Sequence, residues 1–275
     1  MPLCKMGIPW NPEEPRAANG VLSPANSRGP VYLSPHMKMI AIIPAAGLGT
    51  RMTVPPGKGK KAAPSKQFVD LGGTPILVHT LRKFAASPVS EIFVALRKNE
   101  IADFQGRLAE YEKGIQKKVH FVEGGEHRQH SVANALAAID AAEEDIVLIH
   151  DAVRPFVTNE IIEAVISAAQ KYGAAIAGMP AVDTVKQVER TADGALVTAT
   201  FPRERVVMAQ TPQGFRYGVL KKAFDEATAD GFLGTDEASL VERSGHQVAV
   251  VMGSPRNIKI TTPADLELAE FFLKS

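Results

Sequence analysis

The sequence predicts an α/β fold: a mostly parallel central sheet flanked by helices, with a protruding β-arm. Three observations carry this. Short β-rich runs alternate with amphipathic stretches over 37–179, the pattern of strands joined by crossover helices. The apolar run Ile40-Ala41-Ile42-Ile43 opens directly into a loop of small residues, Pro44-Ala45-Ala46-Gly47-Leu48-Gly49. From Asp183 to Phe215 the pattern changes to short alternating segments around an Asp193-Gly194 turn, which marks a hairpin rather than another strand–helix unit.

Taken in order, strands are expected over 39–43, 91–96, 119–122, 145–149 and 174–179, and helices over 76–86, 100–112, 131–141 and 159–172. Alternating segments at 184–188, 195–200 and 205–208 make up the arm, about 183–215. The chain then returns to helices at 218–230, 236–244 and 263–273 with a strand at 247–251. An arm too small to bury its own apolar face generally packs on a partner, so a homodimer with arm exchange is expected.

Composition sets the outer bounds. The 275 residues are 45% hydrophobic and 22% charged, an ordinary globular balance with enough material for one sizeable core. A formal net charge of +1 argues against a broad nucleic-acid surface, so a phosphate-bearing ligand would be held by a local cluster of cations. Residues 1–36 are rich in Pro, Gly, Ser and Asn without a periodic apolar face, and are expected to form a disordered tail ahead of a single α/β domain over 37–275. No run approaches eighteen consecutive apolar residues, so no membrane span is predicted. The single cysteine, Cys4, suits a reducing compartment, and the expected location is cytoplasmic.

The loop after the first strand is the most informative feature. Ala and Gly allow close approach of a ligand to the backbone, free N–H groups can face phosphate oxygens, and Arg51 and Lys66 can neutralise charge that grows during phosphoryl chemistry. Two other glycine-rich loops are excluded. A dinucleotide fingerprint wants a third glycine and an acidic residue after the next strand, but that strand is followed by Arg97. Gly57-Lys58-Gly59-Lys60-Lys61 lacks the Ser or Thr that a Walker loop places after Gly-Lys. A tight strand-to-helix turn with an incidental arginine is the plain alternative. In open α/β sheets ligands sit beyond the carboxyl ends of the strands, where the loops 44–51, 124–131 and 150–154 should share one crevice.

Several motifs occur in order along the chain: Pro44-Ala45-Ala46-Gly47-Leu48-Gly49-Thr50-Arg51-Met52, Pro64-Ser65-Lys66-Gln67, Gly124-Gly125-Glu126-His127-Arg128-Gln129-His130-Ser131, His150-Asp151-Ala152-Val153-Arg154-Pro155, Asp183-Thr184-Val185-Lys186, Gln210-Thr211-Pro212-Gln213, Thr235-Asp236-Glu237-Ala238-Ser239 and Asn257-Ile258-Lys259-Ile260-Thr261. From about Met39 to the end the chain closely resembles the 2-C-methyl-D-erythritol 4-phosphate cytidylyltransferase family of the non-mevalonate isoprenoid pathway. The resemblance implies a Rossmann-like fold of the nucleotide-diphospho-sugar transferase type, CTP as donor, pyrophosphate as leaving group, methylerythritol phosphate as acceptor, and Mg²⁺ or another divalent cation. It also implies catalytic roles for Arg51, Lys66, Arg203 and Lys259. CTP binding falls to Pro44, Ala45, Ala46, Gly47, Gly49, Gly125, Glu126, Ser131, Asp151 and Ala152. The acceptor falls to Arg154, Thr184, Thr211 and Thr235, with Asp151 as the nominated metal ligand and Thr184 and Arg203 reaching into the partner's site.

Each assignment has a plainer rival. Lys66 reads also as a solvated loop lysine, Asp151 as the cap of the following turn, Arg128 as a surface or ribose-side cation. His127, His130 and His150 have no zinc spacing with a cysteine and read as structural or hydrogen-bonding residues. The chain departs from the family pattern in a longer stretch between Arg51 and Lys66, and in Phe201-Pro202 ahead of Arg203, where an acidic residue is usual. A ribitol 5-phosphate cytidylyltransferase and a silent nucleotide-binding regulatory module are the rival functions. Four intact cations disfavour the second.

Overall fold

The computed structural model describes residues 37–47, 65–112 and 114–275. The expected tail 1–36, and Gly49 and Arg51 of the triphosphate loop, lie outside the described residues.

The first strand, β1 (Met39–Pro44), is buried on both faces, as its unbroken apolar run requires. The short pair β2 (Asp70–Leu71) and β3 (Thr74–Pro75) leads into α1 (Ile76–Ala85). Then follow β4 (Glu91–Leu96), α2 (Lys98–Tyr111), β5 (Val119–Glu123), α3 (Arg128–Ala138), β6 (Ile146–Ile149), α4 (Asn159–Tyr172) and β7 (Ala174–Pro180). After the hairpin β8 (Lys186–Thr191) and β9 (Gly194–Thr200) come β10 (Val207–Arg216), α5 (Tyr217–Ala229), α6 (Glu237–Arg243), β11 (Ala249–Met252) and α7 (Pro263–Lys274). Helix ends follow local chemistry. The Thr158 hydroxyl caps α4, which ends at Gly173 with φ of 86°. Capping boxes at Asp236 and Thr262 start α6 and α7.

Among the described residues the main sheet has seven strands in the order β11-β7-β10-β6-β1-β4-β5. Every pairing is parallel except those of β10, which runs antiparallel to β6 and β7. Alternation along β1 divides the core. Met39, Ala41 and Ile43 pack with α1, α2 and α4, while Ile40 and Ile42 pack with α3, α5 and α6. From β1 the chain moves outward through β4 and β5, then returns to place β6 on the other flank of β1. The strand order therefore reverses between β1 and β6, the place where open α/β sheets bind ligands.

Two expectations are corrected. The arm expected over 183–215 is shorter: the exposed hairpin spans β8 and β9, and β10 returns to the centre of the sheet. Pro212 argues against a central strand in sequence, since it cannot donate to a ladder. Here the register shift between Ala209 and Gln213 accommodates it. Helix α3 starts at Arg128 rather than 131, because its polar first turn is held by distant partners. Arg128 pairs with Glu237, while Gln129 bonds the Phe232 carbonyl and the Gly234 N–H.

Candidate active site

A crevice of about 170 Å³ opens at the carboxyl ends of β1, β5 and β6. Its first wall is the loop after β1. Ala45 N–H donates to the Ala95 carbonyl at 2.8 Å, and the Ala45 carbonyl accepts from Gln67 Nε2 at 2.6 Å. Gln67 is fully buried beside Lys66 on a single 3-10 turn, so the residue after the expected cation locks the loop that the cation faces.

The second wall is the loop after β5. Gly124 bonds the Leu96 carbonyl and leaves no space for a side chain: a Cβ there would sit 2.3 Å from the Ala46 Cβ. The Ser131 hydroxyl accepts from Gly125 N–H at 3.0 Å and so ties the loop to the first turn of α3. The His127 and His130 rings meet edge to face, 5.1 Å apart.

The third wall carries the charge. Asp151 is buried; Lys259 Nζ lies 2.9 Å and Arg154 Nε 3.3 Å from its Oδ2, and Arg128 Nε 3.4 Å from its Oδ1. Burial alone would raise the Asp151 pKa, but Arg128 and Lys259 outweigh it and hold the carboxyl well below the usual carboxylate range. Arg128 Nη1 also sits between both oxygens of the buried Glu237, at 2.5 and 2.6 Å, a charge-assisted contact at the N-terminus of α6. Burial pushes Glu237 upward against the pull of Arg128. Three cations surround two carboxylates, and Lys66 adds a fourth on the facing wall. The crevice suits a polyanion.

Beneath Asp151 lies a neutral support. The Thr211 hydroxyl oxygen accepts from Asp151 N–H at 3.0 Å and stands 3.1 Å from His150 Nδ1, while His150 Nε2 is 3.0 Å from the Arg154 carbonyl. These partners assign the tautomer: the hydroxyl donates to Nδ1, and Nε2–H donates to the carbonyl. Burial lowers the His150 pKa to about 4, so the ring is neutral.

Of the expected site residues, Pro44, Ala45, Ala46, Gly47, Lys66, Gly125, Glu126, Ser131, Asp151, Ala152 and Lys259 line this one crevice. Arg154 and Thr211 stand behind its wall. Thr235 is on an exposed loop, and Thr184 and Arg203 lie with the hairpin, where Arg203 donates to the Val182 carbonyl at 3.0 Å. Sequence reasoning missed Glu237 and understated Arg128 and Gln67. All three stand inside the ordered motifs, but their partners are remote in sequence. The reading of the histidines as structural is met at His150, and no cluster of three metal-ligating side chains occurs among the described residues.

Residues 39–275 match the family described as IspD, 2-C-methyl-D-erythritol 4-phosphate cytidylyltransferase. A protein of that name from Acidobacterium capsulatum is 59% identical over 239 residues, covering 86% of this chain and 98% of the relative. One from Solibacter usitatus is 53% identical over 242 residues, covering 86% and 96%. Among solved structures, the Francisella tularensis enzyme of the same name aligns with a TM-score of 0.68 at 37% identity, over 85% of this chain and 99% of that one. The 4-diphosphocytidyl-2C-methyl-D-erythritol synthase of Anaerococcus prevotii aligns with a TM-score of 0.72 at 32% identity, over 87% and 97%.

Proposed function

The chain belongs to the 2-C-methyl-D-erythritol 4-phosphate cytidylyltransferase family, and from that premise we propose how its crevice transfers CMP from CTP to 2-C-methyl-D-erythritol 4-phosphate. The products are 4-diphosphocytidyl-2-C-methyl-D-erythritol and pyrophosphate, in the supply of isoprenoid precursors. The observation that carries the mechanism is the ring of cations around Asp151, faced by Lys66 across a pinned small-residue loop.

The acceptor is a phosphate monoester, mostly dianionic near neutral pH, so its oxygen attacks the α-phosphorus already deprotonated and no protein base is needed. The new P–O bond forms as the bond to pyrophosphate breaks. What the protein supplies is alignment and charge neutralisation. We assign Lys66 and Arg51 to the charge that grows on the α-phosphoryl group and the leaving pyrophosphate. The loop through Pro44, Ala45, Ala46, Gly47 and Gly49 holds the triphosphate, and Gly125, Glu126 and Ser131 read the cytosine. Asp151 and Ala152 take the ribose side, while Lys259 and Arg154 face the acceptor phosphate. Thr211, bonded beneath Asp151, acts by holding it.

We assign Mg²⁺ as cofactor, which would be carried on triphosphate oxygens, with Asp151 as the nominated protein ligand; both Asp151 oxygens are paired with Arg128, Arg154 and Lys259, so one of these cations would turn to the triphosphate for the ion to reach the carboxylate. One carboxylate beside a polyphosphate fits the way Mg²⁺ is commonly bound, and the ion would neutralise triphosphate charge. The functional unit we propose is a homodimer in which Thr184 and Arg203 of one hairpin enter the partner's crevice. Supporting this, the hairpin leaves Leu196 and Val197 more than 60% exposed, an apolar surface it cannot bury alone. The lone Cys4 supports a cytoplasmic location; among the described residues, no helix is long and apolar enough to cross a membrane.

The test is pyrophosphate release by the purified protein with CTP and either methylerythritol phosphate or ribitol 5-phosphate, with and without excess chelator. Turnover with the first acceptor, abolished by chelator, is expected. Preference for ribitol 5-phosphate would overturn the acceptor, and full turnover in chelator would overturn the metal.

A further inference from the structure

Strand β10 loses its pairing with β7 between Ala209 and Gln213, beside the crevice. An interrupted antiparallel ladder frees main-chain groups and re-aims side chains, and such irregularities cluster near functional sites. Here one segment, 253–260, meets the Gln210 side chain and the Thr211 carbonyl. The Gln210 amide pairs with Ser254 in both directions: Nε2 donates to the Ser254 carbonyl at 2.9 Å, and Oε1 accepts from the Ser254 N–H at 3.2 Å. The same Oε1 accepts from Asn257 Nδ2 at 3.1 Å, and Nδ2 donates also to the Thr211 carbonyl at 2.9 Å.

Asn257 is fully buried, and the segment it anchors carries the acceptor-side charges. Its carbonyl accepts from Arg154 Nη1 at 2.7 Å. Two residues on, Lys259 reaches Asp151 at 2.9 Å, and Ile260 N–H donates to the Val153 carbonyl at 2.9 Å. Gly253 lets the segment approach: a Cβ there would lie 2.3 Å from Gln210 Oε1. Both cations assigned to the acceptor phosphate thus take their place from one segment, which takes its place from Gln210.

We infer that Gln210 is a positioning residue for the acceptor side of the reaction, setting through Asn257 where Arg154 and Lys259 present their charges. The inference rests on the assignment of the crevice to cytidylyl transfer. Gln210 does not line the crevice, so it acts through the cations rather than on substrate.

The test uses the full-length enzyme carrying Gln210→Leu, with Gln210→Met in parallel so that misfolding of one variant leaves the experiment standing. The KM for methylerythritol phosphate should rise about ten- to a hundredfold, the effect of small misplacements of positioning groups. CTP affinity by calorimetry should change by less than about twofold. In a Lys259→Ala background the substitution should add less than about threefold, because residues acting as one unit are not additive. Equal losses for CTP and acceptor, or an undiminished effect without Lys259, would overturn the inference. A second measurement needs no turnover: hydrogen exchange over 254–260 should quicken in the variant while β1 and β6 stay protected, and unchanged exchange there would equally overturn the clamp. Failure of the wild-type enzyme to use methylerythritol phosphate would instead remove the functional assignment, with the exchange result still deciding the clamp.

Discussion

Removing the charge of Glu237 should destabilise the protein far more than a surface ion pair would. Its carboxylate is 1% exposed and both oxygens are bound by Arg128, so Glu237→Gln keeps the shape and leaves a half-buried guanidinium short of one counter-charge. Breaking one partner of a buried pair costs about 3–5 kcal/mol. The Arg128 side chain retains 31% exposure and a second carboxylate, Asp151, at 3.4 Å, which moves the expectation to the foot of that range and below it. A loss of about 2–3 kcal/mol follows, roughly 4–12 °C in Tm for a domain of this size. The single tryptophan, Trp10, lies outside the described residues, so urea unfolding should be followed by far-UV circular dichroism. The double variant Arg128→Met with Glu237→Leu should be less destabilised than the sum of its singles, because it removes both charges together. A loss below about 1 kcal/mol in Glu237→Gln, or strict additivity in the double variant, would refute the reasoning.

Three more predictions concern charge and assembly. His150 is held near pKa 4 by burial, below its usual 6.5, so as pH falls from 6.5 the unfolded chain takes up the proton first. Stability should fall by about 1.4 kcal/mol per pH unit from this group alone between 6.5 and 4, and urea unfolding of His150→Gln should show that slope reduced; an unchanged slope rejects the buried neutral ring. Arg51→Ala and Lys66→Ala should each lower kcat by about a hundred- to a thousandfold with smaller changes in the acceptor KM, and near-normal kcat in steady-state assays would remove their catalytic assignment. Mixing Arg203→Ala chains with Arg51→Ala chains should restore activity in one of the two sites of each mixed dimer. An inactive mixed dimer, confirmed by mass, would show that each chain uses its own Arg203.

The legible parts of this molecule are those whose causes are local. The apolar run of β1, the β4 boundaries and α4 from Asn159 to Tyr172 follow from period, caps and breakers within a dozen residues, and the structure places them where the pattern did. The three loops of the crevice were legible because strand ends in an open sheet converge by topology. What sequence hid depends on remote partners. Glu237 stands in the sequence as one letter of an ordered motif with no role of its own until Arg128, 109 positions away, is brought against it. Arg128 reads as a surface cation for the same reason. Residues 207–216 fall inside the arm expected over 183–215 because short alternating segments do not mark which sheet they join, and β10 finds its partners in β6 and β7 only through the fold, across a register shift between Ala209 and Gln213.

The contact of Gly124 with Ala46 constrains how this enzyme's choice of nucleobase can change. The loop that would read the base and the loop that would carry the triphosphate touch at a point where even a methyl group is excluded. A residue larger than glycine at 124 would push on the β1 loop, which Gln67 and Ala95 grip from behind, so the displacement has no slack to absorb it. Selection for a purine donor therefore cannot proceed by enlarging the pocket one side chain at a time along this seam. Laboratory evolution toward ATP or GTP should recover paired substitutions in the two loops before it recovers any single replacement of Gly124.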